Sequence, residues 1–252
     1  MTFDVAAARY DRFMGRYSSK LAPPFCEFAG IGVGQRVLDV GCGPGALTAE
    51  LVGMVGEAAV SAVDPSQQFV DAARGRYPGV DVQLASAEDL PYQDGEFDAA
   101  CAQLVVHFMS DPVAGLAEMA RVTRSGGRVA ACVWDHAGGR STISAFWQAV
   151  RELRLEAEDE SELPGARRGH LPQLFSSAGI DRIEEAELTV RVEHESFDDW
   201  WSPFTLGVGP AGAYAQTLGD EELASVCDWC RRLLGDGPLT LTATVWAARG
   251  SA

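Results

Sequence analysis

Val37-Leu38-Asp39-Val40-Gly41-Cys42-Gly43-Pro44-Gly45-Ala46 is a short apolar run that breaks into three closely spaced glycines and then enters a helix-forming segment. Glycines at such a junction let the backbone turn tightly and come close to a ligand. Gly41, Gly43 and Ala46 satisfy the loose dinucleotide pattern G-x-G-x-x-A, a weak signal by itself. Asp39 separates the readings. It lies two residues before the first glycine, near the carboxyl end of the strand, where ligands of open α/β sheets bind. A carboxylate there opposes a pyrophosphate and favours a ligand that carries an ammonium group.

Outward from this stretch, apolar runs alternate with helical patterns. Residues 36–40, 58–63, 80–85, 97–106 and 128–134 read as strands, the fourth running into a loop. Residues 46–55, 67–77 and 112–123 read as helices between them. Such alternation predicts an α/β fold: a parallel sheet with helices on both faces. Upstream, residues 1–21 read as an amphipathic helix carrying Phe3, Tyr10, Met14, Tyr17 and Leu21 on one face, with Pro23-Pro24 interrupting it. Downstream the pattern loosens. Residues 137–169 are polar, 170–178 read as a helix stopped by Gly179, 188–192 alternate, and 196–236 are aromatic and helical. Leu239, Leu241, Ala243, Val245 and Ala247 then fall on one face of a last strand. The expectation is one domain over 1–252, with residues 1–29 covering the ligand and 137–169 and 196–236 inserted as a cap.

The chain has 252 residues, 20 of them basic and 36 acidic, for a net charge of −16. So acidic a surface repels phosphate backbones and anionic membranes, which argues against nucleic acid as a partner. No apolar run reaches the length of a spanning helix, and the first residues lack the apolar core of a signal peptide. The six cysteines are scattered. They predict reduced, mostly buried thiols in a cytoplasmic protein. Cys227 and Cys230 follow helical spacing with Leu223, Val226 and Leu234, and read as packing. No second ligand pair or Asp/Glu/His cluster stands out, so no metal is expected.

Two further motifs lie on the same sheet edge. Asp64, in Val63-Asp64-Pro65-Ser66, ends the second strand, where a carboxylate can accept both hydroxyls of a ribose. In Ala85-Ser86-Ala87-Glu88-Asp89-Leu90-Pro91, a backbone N–H beside a carboxylate can pair with an adenine. With Phe97-Asp98-Ala99-Ala100 and Arg121-Val122-Thr123-Arg124-Ser125-Gly126-Gly127, these segments occur in a family order. The chain resembles the class I S-adenosylmethionine-dependent methyltransferases, specifically the small-molecule branch that includes ubiquinone- and menaquinone-biosynthesis enzymes. The resemblance is strong over residues 8–135 and loose beyond.

It implies a Rossmann-like seven-stranded sheet of order 3-2-1-4-5-7-6 with the last strand antiparallel. It implies S-adenosylmethionine as cofactor and S-adenosylhomocysteine as product. By the same resemblance Asp39, Gly41 and Gly43 hold the methionine end, with Cys42 lining the loop. Asp64 takes the ribose with Pro65 beside it, Ala87 and Glu88 meet the adenine, and Gln103 contacts the methionine moiety. Tyr10-Asp11-Arg12-Phe13-Met14-Gly15-Arg16 resembles the cofactor-covering helix, which makes Tyr10 and Arg16 candidates to reach the methionine carboxylate.

Methyl transfer from a sulfonium needs alignment and exclusion of water, and a positioned base can add roughly 10²–10⁴-fold. His107, after the fourth strand, is the foremost candidate base and His136 the second. His170 and His194 read as structural or exposed. Trp134, Phe146, Trp147, Trp200, Trp201, Phe204 and Tyr214 suit either the walls of a pocket for a hydrophobic or aromatic small molecule or the core of the cap. Glycines at 207, 209 and 212 allow that region to move as a lid. Two other readings use the same residues: a nicotinamide-dependent oxidoreductase, which Asp39 and the 87–89 loop disfavour, and a non-catalytic binding protein with the same fold.

Overall fold

A computed structural model describes residues 10–252. Seven strands form one sheet: β1 (Val37–Val40), β2 (Val60–Asp64), β3 (Asp81–Leu84), β4 (Phe97–Gln103), β5 (Thr123–Trp134), β6 (Asp181–His194) and β7 (Leu239–Ser251). Their order is β3-β2-β1-β4-β5-β7-β6. β1 pairs in parallel with β2 and β4, and β7 runs antiparallel between β5 and β6. The order expected from the resemblance is the order found.

The strand residues alternate between two cores. Val37, Ala62, Cys101 and Cys132 enter one, under the helices α1 (Arg16–Ala29), α2 (Ala46–Val55) and α3 (Gln67–Arg76). Leu38, Val40, Val63, Ala100 and Val129 enter the other, under α4 (Pro112–Val122) and α6 (His170–Ser177). The helix α5 (Ser144–Glu152) lies in the chain between those two. Burial on both faces is why the central strands read as continuous apolar runs.

A third cluster gathers α5, α7 (Phe197–Trp201), α8 (Gly209–Ala215) and α9 (Asp220–Leu234) around stacked rings. Phe146 and Phe204 lie 5.0 Å apart and nearly parallel, and Phe13 from the N-terminal segment packs edge-on against Phe204. Cys230 is buried in this cluster and Cys227 is half-buried, both as free thiols.

Two expectations need correction. Pro23-Pro24 does not end the first helix, which runs to Ala29 and stops at Gly30 in a left-handed conformation. Both prolines sit on the outer side, while Leu21, Ala22, Phe25, Cys26 and Ala29 are buried against the sheet. An interior proline costs about 3 kcal/mol, and burial of two large and three small apolar side chains offsets it. The part of that helix reading that falls on residues 1–9 lies outside the described residues. β6 is also far longer than the alternation at 188–192 indicates. It is an edge strand, and its first half carries Asp181, Arg182, Glu184, Glu185 and Glu187, charges that guard an edge while masking the period. No helix among the described residues is long and apolar enough to cross a membrane.

Candidate active site

The order of strands reverses between β1 and β4, and the crevice beyond their carboxyl ends is where ligands of such sheets bind. The glycine loop forms its floor. Gly41 and Cys42 both donate their N–H to the Val63 carbonyl, at 2.8 and 2.9 Å, so the loop leaves β1 still tied to β2. Gly41 has φ +71°, and a Cβ there would lie 2.5 Å from a Val105 methyl. Gly43, at φ +54°, faces open space: a Cβ would meet nothing within 4 Å. One glycine is therefore required by packing, and the other leaves a cradle.

Two acids stand at this loop: Asp64 lines the space above it, and Asp39 is buried behind it and does not. Asp39 is 1% exposed, and its Oδ2 accepts a 2.6 Å hydrogen bond from the Thr48 hydroxyl of α2. Burial drives its carboxyl up to about 7. Asp64 accepts the N–H of Ser66 on Oδ1 and that of Gly43 on Oδ2, both at 2.8 Å. Burial raises it to about 6, against the pull of those two bonds. Each carboxylate oxygen keeps a lone pair free after these bonds. Among the described residues that line the space above there is no Lys or Arg, and Asp64 is the one acid.

That space measures about 740 Å³ with its open mouth, and Tyr10, Gly41, Gly43, Asp64 and Pro65 all line it. Ser66, Phe69, Leu104, Val105 and Phe108 complete the walls, and none of these was legible from the sequence as a site residue. Leu104 carries φ +63°, a strained value for a branched residue at a strand end, and no residue-type signal announces it. Tyr10 packs edge-on to Phe69 at 5.3 Å, and its phenol is driven up to about 12, first by burial.

A second space of about 460 Å³ adjoins the first and shares Tyr10, Leu104 and Phe108 with it. His107, Trp134, His136 and Glu160 line it, with Phe13 and Ile143 among its apolar walls. The imidazoles of His107 and His136 are 6.0 Å apart. Burial holds His107 well below its ordinary value, and His136 falls to about 4 for the same reason. Both are neutral near pH 7. Of the aromatic residues set out above as pocket walls or cap core, only Trp134 borders this space. Phe146, Trp147, Trp200, Trp201, Phe204 and Tyr214 belong to the cap's own core.

The remaining sequence candidates lie outside both spaces. Cys42 is buried beneath the loop, its Sγ 3.4 Å from the Gly43 carbonyl. Ala87 is buried, packed where a Cβ on Gly115 of α4 would touch it. The Glu88 carboxylate turns away from the cradle to accept the N–H groups of Ser110 and Asp111, at 2.8 and 3.2 Å. Gln103 is buried, and its Nε2 donates to the Ser18 carbonyl of α1 while Oε1 has no partner.

Arg16 departs most from expectation. Its guanidinium grips Asp199 of α7 through two bonds of 2.7 and 3.0 Å and donates to His194 Nδ1 at 2.8 Å. That leaves the proton of neutral His194 on Nε2, 2.7 Å from the Tyr17 hydroxyl. Arg16 thus ties the N-terminal segment to the cap.

Sheet order and glycine loop together define a class: an open α/β protein with a ligand crevice beyond the carboxyl ends of β1 and β4. Comparisons sharpen this. Residues 38–131 match the methyltransferase domain family. The chain is 33% identical over 206 residues to an O-methyltransferase, cnsE, of Penicillium expansum, covering 77% of this chain and 67% of that one. It is 38% identical over 166 residues to a demethylmenaquinone methyltransferase of Mycobacterium sp. (strain KMS), covering 62% and 66%. Among solved structures it is similar to an S-adenosylmethionine-dependent methyltransferase of Thermotoga maritima (TM-score 0.55, 19% identity, 97% of this chain and 98% of the other). It is likewise similar to geranyl diphosphate methyltransferase in complex with S-adenosylmethionine (TM-score 0.53, 17% identity, 98% and 90%). The chain belongs to the S-adenosylmethionine-dependent methyltransferase family. The cradle suits that cofactor: the Asp64 carboxylate on its wall and a backbone hollow at Gly43.

Proposed function

We propose that the protein transfers the methyl group of S-adenosylmethionine to a small-molecule acceptor held in the second space, leaving S-adenosylhomocysteine. The observation that carries this reading is the shared wall of Tyr10, Leu104 and Phe108, along which a second chamber, about 460 Å³ with its open mouth, adjoins the cradle. In this reading Asp39 attracts the ammonium end of the cofactor, Gly41 and Gly43 let its methionine end approach the backbone, and Asp64 takes the ribose hydroxyls with Pro65 alongside. Ala87 and Glu88 shape the adenine end through the backbone of their loop, and Gln103 and Cys42 support the floor. When bound, the cofactor supplies an activated methyl on a sulfonium. The chain's own residues orient the two partners and keep water out. His107, neutral and buried, is placed to accept a proton from the acceptor. The cap over residues 137–169 and 196–236 closes the acceptor side. The demethylmenaquinone methyltransferase among its relatives acts, by its name, on demethylmenaquinone, an organic acceptor, which supports this reading.

Calorimetric titration with S-adenosylmethionine, S-adenosylhomocysteine and NAD in parallel tests the reading. Micromolar binding of the first two and none of NAD is expected. Binding of NAD alone would overturn it. Binding of the first two without transfer to any of a panel of acceptors would favour a non-catalytic binding protein.

The acids add a pH signature. Asp39 keeps its proton up to about pH 7 in the free protein. A ligand that brings an ammonium to this site needs the carboxylate ionised, so binding below that pH must expel the proton. Affinity for S-adenosylmethionine is therefore expected to rise with pH up to about 7 and then level off, by at most about tenfold per unit. Calorimetry in two buffers of different ionisation enthalpy should register proton release at pH 6, reduced in Asp39→Asn. A flat affinity between pH 5.5 and 8, about the span of this transition, would refute the assignment of Asp39.

A further inference from the structure

The second chamber holds more unanswered polar chemistry than an apolar pocket should. Four of its side chains carry a buried nitrogen or oxygen with no hydrogen-bond partner of good geometry among the described residues: His107 Nδ1, His136 Nδ1, Trp134 Nε1 and Glu160 Oε2, the Glu160 carboxyl having the Trp147 indole beside it. Trp134 and Glu160 are 2% and 3% exposed. An unmet buried polar atom costs about 1–3 kcal/mol, so four around one chamber favour a ligand that can meet them in place of water. Glu160 lies in the 137–169 insertion, where nothing in the sequence marks it as more than another surface acid.

The types of atom restrict that ligand. An indole N–H only donates, so the ligand must bring a lone pair. Neutral imidazole and a carboxyl group can take either role. An ammonium could meet Glu160 and would leave Trp134 unanswered. Burial also raises the Glu160 carboxyl to about 7, so a fixed negative charge is not held ready for a cation. A hydroxyl both accepts and donates, which answers Trp134 and an imidazole or the acid together. The surrounding Phe13, Phe108 and Ile143 require the rest of the molecule to be apolar.

We propose that the acceptor is an uncharged, largely apolar molecule that presents a hydroxyl oxygen to the polar wall formed by His107, His136, Trp134 and Glu160. The inference rests on the methyltransferase reading above and names its acceptor class. Glu160 and Trp134 become residues that determine specificity.

The test is a binding titration by NMR, in the presence of saturating S-adenosylhomocysteine, with three probes of one shape: 2-naphthol, 2-methoxynaphthalene and 2-(aminomethyl)naphthalene. The naphthol is expected to bind about tenfold more tightly than its methyl ether, the worth of one or two buried hydrogen bonds, and the ammonium to bind most weakly. Glu160→Gln and, independently, Trp134→Phe should shrink the preference for the naphthol and leave S-adenosylhomocysteine affinity unchanged. Trp134→Phe keeps the ring, so it serves if the first variant does not fold. Equal binding of naphthol and ether, tightest binding of the ammonium, no binding of any probe, or an undiminished preference in both variants would each overturn the proposal. If S-adenosylhomocysteine itself fails to bind, the methyltransferase reading falls, and the same probes on the free protein judge the chamber by the same criterion.

Discussion

Asp64→Ala is expected to bind S-adenosylmethionine about 10²–10⁴-fold more weakly than the natural protein, since two hydrogen bonds from ribose hydroxyls to a buried carboxylate are each worth roughly 1.5–3 kcal/mol. The same carboxylate also receives the N–H groups of Gly43 and Ser66, so alanine leaves both without a partner and loosens the glycine loop. Asp64→Asn separates the two effects, because the amide oxygen still accepts one of those bonds. The charge of Asp64 does not stabilise the free protein. Its folded pKa, about 6, is above the ordinary 3.8, so its favourable contribution is present at low pH and is lost as pH rises through about 6. Asp64→Asn should therefore melt no lower than the natural protein at pH 8 while binding the cofactor far less well. Calorimetry and thermal melts on the same samples check both halves. Unchanged affinity in either variant would remove Asp64 from the ribose site.

The second large effect is steric. Gly41→Ala places a methyl group 2.5 Å from one Val105 methyl and 2.6 Å from the other, at a φ of +71°. A left-handed conformation costs a residue with a side chain roughly 1–2 kcal/mol, and forcing an extra methyl into packed surroundings adds roughly 1–3 kcal/mol. A destabilisation of about 2–5 kcal/mol is expected. Val105 also lines the cofactor space, so its displacement should cost affinity as well. Gly43→Ala is the control. Its φ is also positive, but its Cβ has open space, so stability should fall only by the conformational term, while the added methyl fills the hollow meant for the cofactor. Chemical denaturation gives the stability and calorimetry the affinity. A Gly41→Ala protein as stable as the Gly43→Ala protein would show that Val105 yields without cost.

The strands and helices that carry the cradle were readable because each is short, apolar and bounded by glycines or prolines. Residues 46–55 were delimited as the helix that forms, Ala46–Val55. Asp39, Gly41, Gly43, Asp64 and Pro65 were legible because strand ends and tight turns restrict residue type locally. Ala87, Glu88 and Gln103 were also picked from strand ends. There the backbone position was legible, while the side-chain direction was decided by remote partners: Ser110 and Asp111 for Glu88, and Ser18 for Gln103. Arg16 shows the same limit at longer range, because its partners Asp199 and His194 stand nearly two hundred positions away.

While the strand order followed from the family resemblance, the sequence by itself determined the order of elements, a sheet flanked by helices and the carboxylates at its strand ends. Those depend on hydrophobic period, on glycine's freedom at a few turns and on carboxylates at strand ends, all properties of neighbouring residues. Only the tertiary structure decided that a helix continues through Pro23-Pro24, because the face it buries outweighs the bonds it loses. Only the tertiary structure turned Arg16 toward α7, and only it brought His107, Trp134, His136 and Glu160 to one chamber. Such groupings join residues distant in the chain, and their energetics come from burial and from partners supplied across the fold, quantities that no local pattern encodes.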